Sequence, residues 1–151
     1  VDPWFIIHSA PEQSPLIRIA REVNDGKTGH VLEQASLLID ELPGVSIACF
    51  GLAFKANIDD FRESPALKIA AKLARRYASE LPPAFEGTGA ELIDIDQALE
   101  TCPIMITLTD HDMFKSIPLD ERAGKVVYDT RGIWPDQPDN RAAGSEIRLA
   151  S

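Results

Sequence analysis

The chain has 151 residues, 44% of them hydrophobic, with 15 Lys and Arg against 24 Asp and Glu, a formal charge of −9. That length suits one compact domain, or one domain with a helical arm, and the apolar content is enough for a core, so disorder is not the default. The negative charge argues against nucleic acid or an anionic membrane as the main partner, yet leaves room for an anionic ligand on a few clustered cations.

The sequence opens on Val1-Asp-Pro-Trp-Phe-Ile-Ile7 rather than on Met, and reads as the middle of a longer protein. No apolar run is long enough to span a bilayer and no signal peptide is evident, so a cytoplasmic location is expected. Ser14-Pro15 is a helix start: a capping hydroxyl, then proline in the first turn, where its missing N–H does no harm. Leu16, Ile19, Ala20 and Val23 follow on one helical face. Gly26 and Gly29 threaten the helix, but the period resumes with Val31, Leu32, Ala35, Leu38, Ile39 and Leu42, and Gly44 closes it. Residues 15–42 therefore predict one long interrupted helix or two in tandem. Such an arm packs on another domain or on another chain.

Val45–Phe50 is a short apolar run of strand type. A charged loop, Gly51 to Glu63, follows it, and Ser64-Pro65 repeats the helix-start signal for a helix to about residue 77. Strand, long loop and helix open a doubly wound α/β unit. A strand should come next, but the chain runs from Ala78-Ser79 into Glu80-Leu81-Pro82. The expectation is a deletion or omitted residues there, or else that part of 88–95 serves as the strand. Asp94–Glu100 reads as a short helix, Ile104–Thr109 as a strand ending in Asp110-His111-Asp112, and Lys125–Tyr128 as a strand ending in Asp129-Thr130-Arg131-Gly132. A frayed tail is expected after about Pro135.

Ligands of a doubly wound sheet sit at the C-terminal ends of its strands. The loops there carry Lys55, Arg62 and Arg131. Two guanidiniums and one ammonium on an acidic domain suit a polyanion such as a pyrophosphate, with Gly51 allowing close backbone approach and the helix at Pro65 aiming its positive end at the same edge. The competing reading pairs Arg62 with Asp59 or Asp60 and Arg131 with Asp129. Asp110-His111-Asp112 imitates a metal or base cluster, but neighbours in sequence rarely converge on one ion, and a polar strand-end loop is the better reading. His8 and His30 stand alone. Cys49 and Cys102 lie in apolar runs and read as buried free thiols, with a disulfide left open. No zinc spacing, Gly-x-Ser-x-Gly elbow or Gly-x-Gly-x-x-Gly fingerprint occurs.

Gly51-Leu-Ala-Phe-Lys-Ala-Asn-Ile-Asp-Asp-Phe-Arg-Glu-Ser-Pro-Ala66 closely resembles the signature that opens the C-terminal UDP-binding domain of the UDP-glucose/GDP-mannose dehydrogenase family. Ala20-Arg-Glu-Val-Asn-Asp25 is similar to the Asn-Asp motif of that family's central helix, and Val127-Tyr-Asp-Thr-Arg-Gly-Ile-Trp134 to its closing strand. The resemblance covers roughly residues 1–134. It implies a Rossmann-like, mostly parallel doubly wound sheet over 44–151, preceded by a linking and dimerisation arm over 1–43. It also implies an NAD-dependent parent that oxidises the C6 alcohol of a UDP-sugar twice, holding the aldehyde on a cysteine thiolate and hydrolysing the thioester.

Val-Asp-Pro-Trp-Phe resembles the branch acting on UDP-N-acetylmannosamine; UDP-glucose, UDP-N-acetylglucosamine and GDP-mannose are the alternative substrates. A non-catalytic nucleotide-sugar-binding or dimerisation module is the alternative of another class. By resemblance the reactive cysteine lies just upstream of Val1, and neither Cys49 nor Cys102 takes its role. Asp2 matches the acid that assists the water and base chemistry. Phe54, Lys55 and Arg131 match substrate-binding positions, and Arg62 a cofactor or pyrophosphate contact. The NAD fold would lie outside this chain, which alone would bind the nucleotide sugar and be inert. Homodimerisation through the arm is the further expectation, and polysaccharide supply the implied role.

Overall fold

The computed structural model describes residues 2–77 and 91–137. A short helix α1 (Asp2–Ser9) precedes a long one, α2 (Pro15–Asp40). Then come strand β1 (Ile47–Phe50), α3 (Pro65–Tyr77), α4 (Ile95–Thr101), β2 (Ile104–Thr107), the one-turn helices α5 (Asp112–Lys115) and α6 (Leu119–Arg122), and β3 (Val126–Asp129). The three strands form a parallel sheet in the order β1-β2-β3, as the α/β reading requires.

The sheet's two faces follow from the period-2 alternation of its side chains. The register aligns Ile47, Ile104 and Val126, then Ala48, Met105 and Val127, then Cys49, Ile106 and Tyr128. The first and third rows face α2 and α3, which contribute Ala35, Ile39, Ala66, Ile69, Ala70 and Leu73. The second row packs with Phe50, Ala98, Phe114, Ile117 and Trp134 on the opposite face. β2 is buried throughout because it has a strand on each side and a helical layer on each face.

α2 runs unbroken through Gly26 and Gly29, where an added Cβ would meet open space. Each glycine costs about 1 kcal/mol in a helix interior. The face built by Val31, Leu32, Ala35 and Ile39 compensates, because it docks on the sheet and α3. The N-terminal half has no such support: Leu16, Ile19 and Val23 are exposed there.

The two Ser-Pro starts behave differently. Ser64 caps α3 as expected: its Oγ accepts from the Leu67 N–H at 3.3 Å and donates to the Leu52 carbonyl at 2.7 Å. Ser14 does not cap α2; its buried hydroxyl donates to the Ala10 carbonyl at 2.7 Å. The reason is α1, which the sequence reading did not identify. Ala10, which directly follows it, presents the carbonyl that takes the serine.

The strand expected after α3 falls largely outside the described residues, and residues 91–94 run without strand pairing. Asp94 instead caps α4, accepting from the Gln97 N–H at 2.8 Å.

Candidate functional site at the strand ends

At its C-terminal end β1 bends sharply against β2. The Leu108 and Thr109 N–H groups donate to the Phe50 carbonyl, and the Thr109 hydroxyl donates to the Ala53 carbonyl at 2.9 Å. Gly51 has φ +84, and a Cβ there would come within 2.6 Å of the Thr109 Cβ. The close approach expected of Gly51 is therefore real, but Thr109 takes that space rather than a ligand. Beyond it, the Phe54 N–H donates to the Asp60 carbonyl at 2.8 Å and closes a small loop. Phe54 and Lys55 sit on this loop, with the Lys55 ammonium 5.7 Å from the Phe54 ring centre. Phe54 is exposed and belongs to neither core cluster, so it is not ordinary packing.

Arg62 leaves the loop toward solvent, its side chain 89% exposed, gripped by Asp60 through Nε and Nη2 at 2.9 Å each. These bonds, together with the Arg62 backbone N–H on the same carboxylate, hold Asp60 down to about 2. Of the two partners expected for Arg62, the structure chooses Asp60. This pair lies within one loop and does not reach Lys55 or Arg131.

Arg131 is placed by β3. The Asp129 carboxylate accepts from the backbone N–H groups of Arg131, Gly132 and Trp134 at 2.8 to 3.0 Å, fixing the turn. Asp129 is thus spent on backbone. The ion pair expected between Arg131 and Asp129 is replaced by one with Asp110, 2.8 Å from Nη2, on the neighbouring strand end. Hydrogen bonding from Arg131 lowers the Asp110 pKa below the ordinary carboxylate value, against a smaller opposing effect of burial.

The segment 110–112 is not a cluster converging on one ion, because Asp110 turns to Arg131 while His111 and Asp112 turn to Asn57. Asp110 holds Arg131, His111 Nδ1 accepts from the Asn57 N–H at 3.1 Å, and Asp112 accepts from Asn57 Nδ2 at 2.8 Å and from Lys115 at 2.6 Å. The Asp112 pKa is lowered, first by Lys115 and then by Asn57. The middle strand end therefore ties the Lys55 loop on one side to the Arg131 turn on the other. Sequence reasoning passed over Asn57. Its signal was an asparagine in a polar loop, the side chain best suited to a left-handed backbone, and here its φ is 58°.

Asp2 begins α1, which packs against α2, in a different part of the chain from these loops. Both cysteines are free thiols. Burial, and then the neighbouring Cys102, pushes Cys49 up to about 12, so it is no thiolate nucleophile. Among the described residues no helix is long and apolar enough to cross a membrane.

Residues 48–136, which include β2, β3, all of β1 but its first residue and the described strand-end loops, match the UDP-glucose/GDP-mannose dehydrogenase family, UDP binding domain. The chain belongs to that family. It is 43% identical over 152 residues to the UDP-N-acetyl-D-mannosamine dehydrogenase of Salmonella typhimurium, covering 89% of this chain and 36% of that protein. It is 42% identical over 144 residues to the NDP-N-acetyl-D-galactosaminuronic acid dehydrogenase of Ralstonia nicotianae, with 89% and 34% covered. The UDP-D-ManNAc dehydrogenase of Pyrococcus horikoshii superposes with a TM-score of 0.67 at 30% identity, over 91% of this chain and 35% of that one. This chain thus spans about a third of the length of the relatives it matches. The Salmonella alignment is longer than the stretch of this chain it covers, so that relative carries residues inside the matched region that this chain does not.

Proposed function

We propose that this chain is the nucleotide-sugar-binding portion of an NAD-dependent UDP-sugar 6-dehydrogenase, and that its diphosphate site is the strand-end edge carrying Phe54, Lys55 and Arg131. One observation carries the reading. Within a chain of net charge −9 whose residues 48–136 match a UDP-binding domain, Lys55 and Arg131 come from the two outer strands of the described sheet and are linked through the middle strand end. A diphosphate spans such a pair, taking a bidentate contact from the guanidinium and a point charge from the ammonium. Asp110 holds Arg131, and a diphosphate would exchange for it. Lys55 beside the Phe54 ring would serve the nucleotide or sugar.

The substrate we favour is UDP-N-acetylmannosamine, oxidised to the uronate. The relatives' names divide between mannosamine and galactosaminuronic acid at nearly equal identity, so a related UDP-sugar is the second reading. NAD supplies the hydride acceptor when bound. This chain has no glycine fingerprint between β1 and α3, so it offers NAD no dinucleotide fold. Arg62, exposed at the loop rim, is its one proposed contact. Asp2 would assist the water chemistry from the start of α1. The exposed stripe of Leu16, Ile19 and Val23 would be covered by a second copy, in a cytoplasmic homodimer. Sedimentation of the chain with and without Ile19→Lys tests that contact, since an unchanged mass would reject it.

The experiment on the site is calorimetric titration with UDP, with UMP as control. Binding of UDP well above UMP, reduced in Lys55→Ala and in Arg131→Ala, is expected. Equal, weak binding of both nucleotides would reject a diphosphate site.

A further inference from the structure

Asn57 lies two residues beyond Lys55, in the left-handed region that asparagine tolerates best among side-chain-bearing residues. Three of its polar groups cross to the middle strand end. The backbone N–H donates to His111 Nδ1 at 3.1 Å, and Nδ2 donates to Asp112 Oδ2 at 2.8 Å. Oδ1 accepts from the Asp112 N–H at 3.0 Å. The carboxamide and the Asp112 residue thus exchange donors and acceptors in both directions, which defines one orientation and not merely one distance. Near its base the loop is anchored by the Phe54–Asp60 closure and by Ser64 on Leu52, both within the same connection. The Thr109 hydroxyl on the Ala53 carbonyl ties the loop to the β2 end before Lys55, and the Asn57 contacts tie it there beyond Lys55. The residue before His111 is Asp110, which grips Arg131.

We propose that Asn57 is a positioning residue for the diphosphate site, setting the Lys55 ammonium against Arg131 by latching the β1 loop to the β2 strand end. This deepens the nucleotide-site reading and rests on it. The physical gain is preorganisation. A loop held only at its base would lose conformational freedom when Lys55 engages a phosphate, and the latch removes that loss beforehand. Asn57 needs no contact with the ligand to do this.

The test is UDP titration of the wild-type chain, Asn57→Gly, Lys55→Ala and the double variant. Glycine adopts φ 58° without strain, so the substitution deletes the carboxamide and leaves the backbone conformation available. We expect Asn57→Gly to weaken UDP about tenfold in the wild-type background and to have almost no effect once Lys55 is alanine, because positioning a missing ammonium gains nothing. Asp112→Ala, which removes the carboxylate half of the latch and leaves the Asp112 N–H on Asn57, should give the same pattern to a smaller extent. Equal losses in both backgrounds would show that Asn57 supports the fold rather than Lys55, and an unchanged affinity in Asn57→Gly would overturn the proposal outright. A folded wild-type chain that fails to bind UDP would remove the diphosphate site itself, and the role of Asn57 with it.

Discussion

Arg122 and Arg131 both hold carboxylates, Asp136 and Asp110. Arg122 is 2% exposed. Its Nε donates to the Ile117 carbonyl at 3.2 Å, Nη1 to Gln137 at 2.7 Å and Nη2 to Asp136 at 2.9 Å, and the guanidinium lies 4.9 Å from the Trp134 ring centre. Trp134 in turn donates to the Phe114 carbonyl and stands edge-on to Phe50. That arginine is fully used in fastening the last described segment under the sheet. Arg131, with about half its side chain exposed, has one carboxylate and solvent around it. A ligand could replace that carboxylate without unmaking the core. The contrast separates a cation that holds the fold from one that is available for binding, and exposure with partner count draws the line more clearly than charge does.

The sharpest way to break the comparison is to remove each arginine in turn. Arg122→Leu should destabilise the chain by about 3 kcal/mol, since it strands the buried Ile117 carbonyl and frees Asp136. A thermal melt reads this as a drop of several degrees, and a shift near zero would mean that the clasp is ornamental. Arg131→Ala, and likewise Lys55→Ala, should weaken UDP by roughly 10- to 100-fold while moving the melt very little, as exposed substitutions do. Loss of stability without loss of affinity would reverse the two roles. Asp110→Asn should act the other way and strengthen UDP about threefold, because the competing carboxylate loses its charge. Weaker binding in that variant would mean that Asp110 places Arg131 rather than competing for it.

The smallest expected effect is on pH dependence. The folded-state pKa values of Asp60 and Asp110 are depressed, so whatever they add to stability is fully present above their unfolded values and is lost as pH falls through the lowered ones. Thermal melts of the wild-type chain and of Asp110→Asn should therefore run parallel from pH 8 to about 5 and converge only below about 4. Convergence at neutral pH would contradict the assignment of that pair.

Much of this was legible beforehand. Hydrophobic period and Ser-Pro punctuation located α2, α3 and all three strands, because those elements bury whole faces. The one-turn helices α5 and α6 were not seen, since four residues carry no period; Phe114 and Arg122 became recognisable only through their partners. At the site, residue type and loop position selected Phe54, Lys55, Arg62 and Arg131, but could not pair them. Asp129 looked like the partner of Arg131, being nearest in sequence. Only the register of β2 against β3 brings Asp110 to the guanidinium and releases Asp129 to cap the turn. Asn57 escaped for the same reason: its partners lie more than fifty residues away in the chain.

The most direct test of the account is a UDP titration of the wild-type chain beside Arg131→Ala and Arg122→Leu, each measured well below its melting temperature. The account predicts strong loss of affinity in Arg131→Ala with an unchanged melt, and a lowered melt in Arg122→Leu with affinity kept to within about threefold. Wild-type UDP affinity that survives Arg131→Ala unchanged would contradict it.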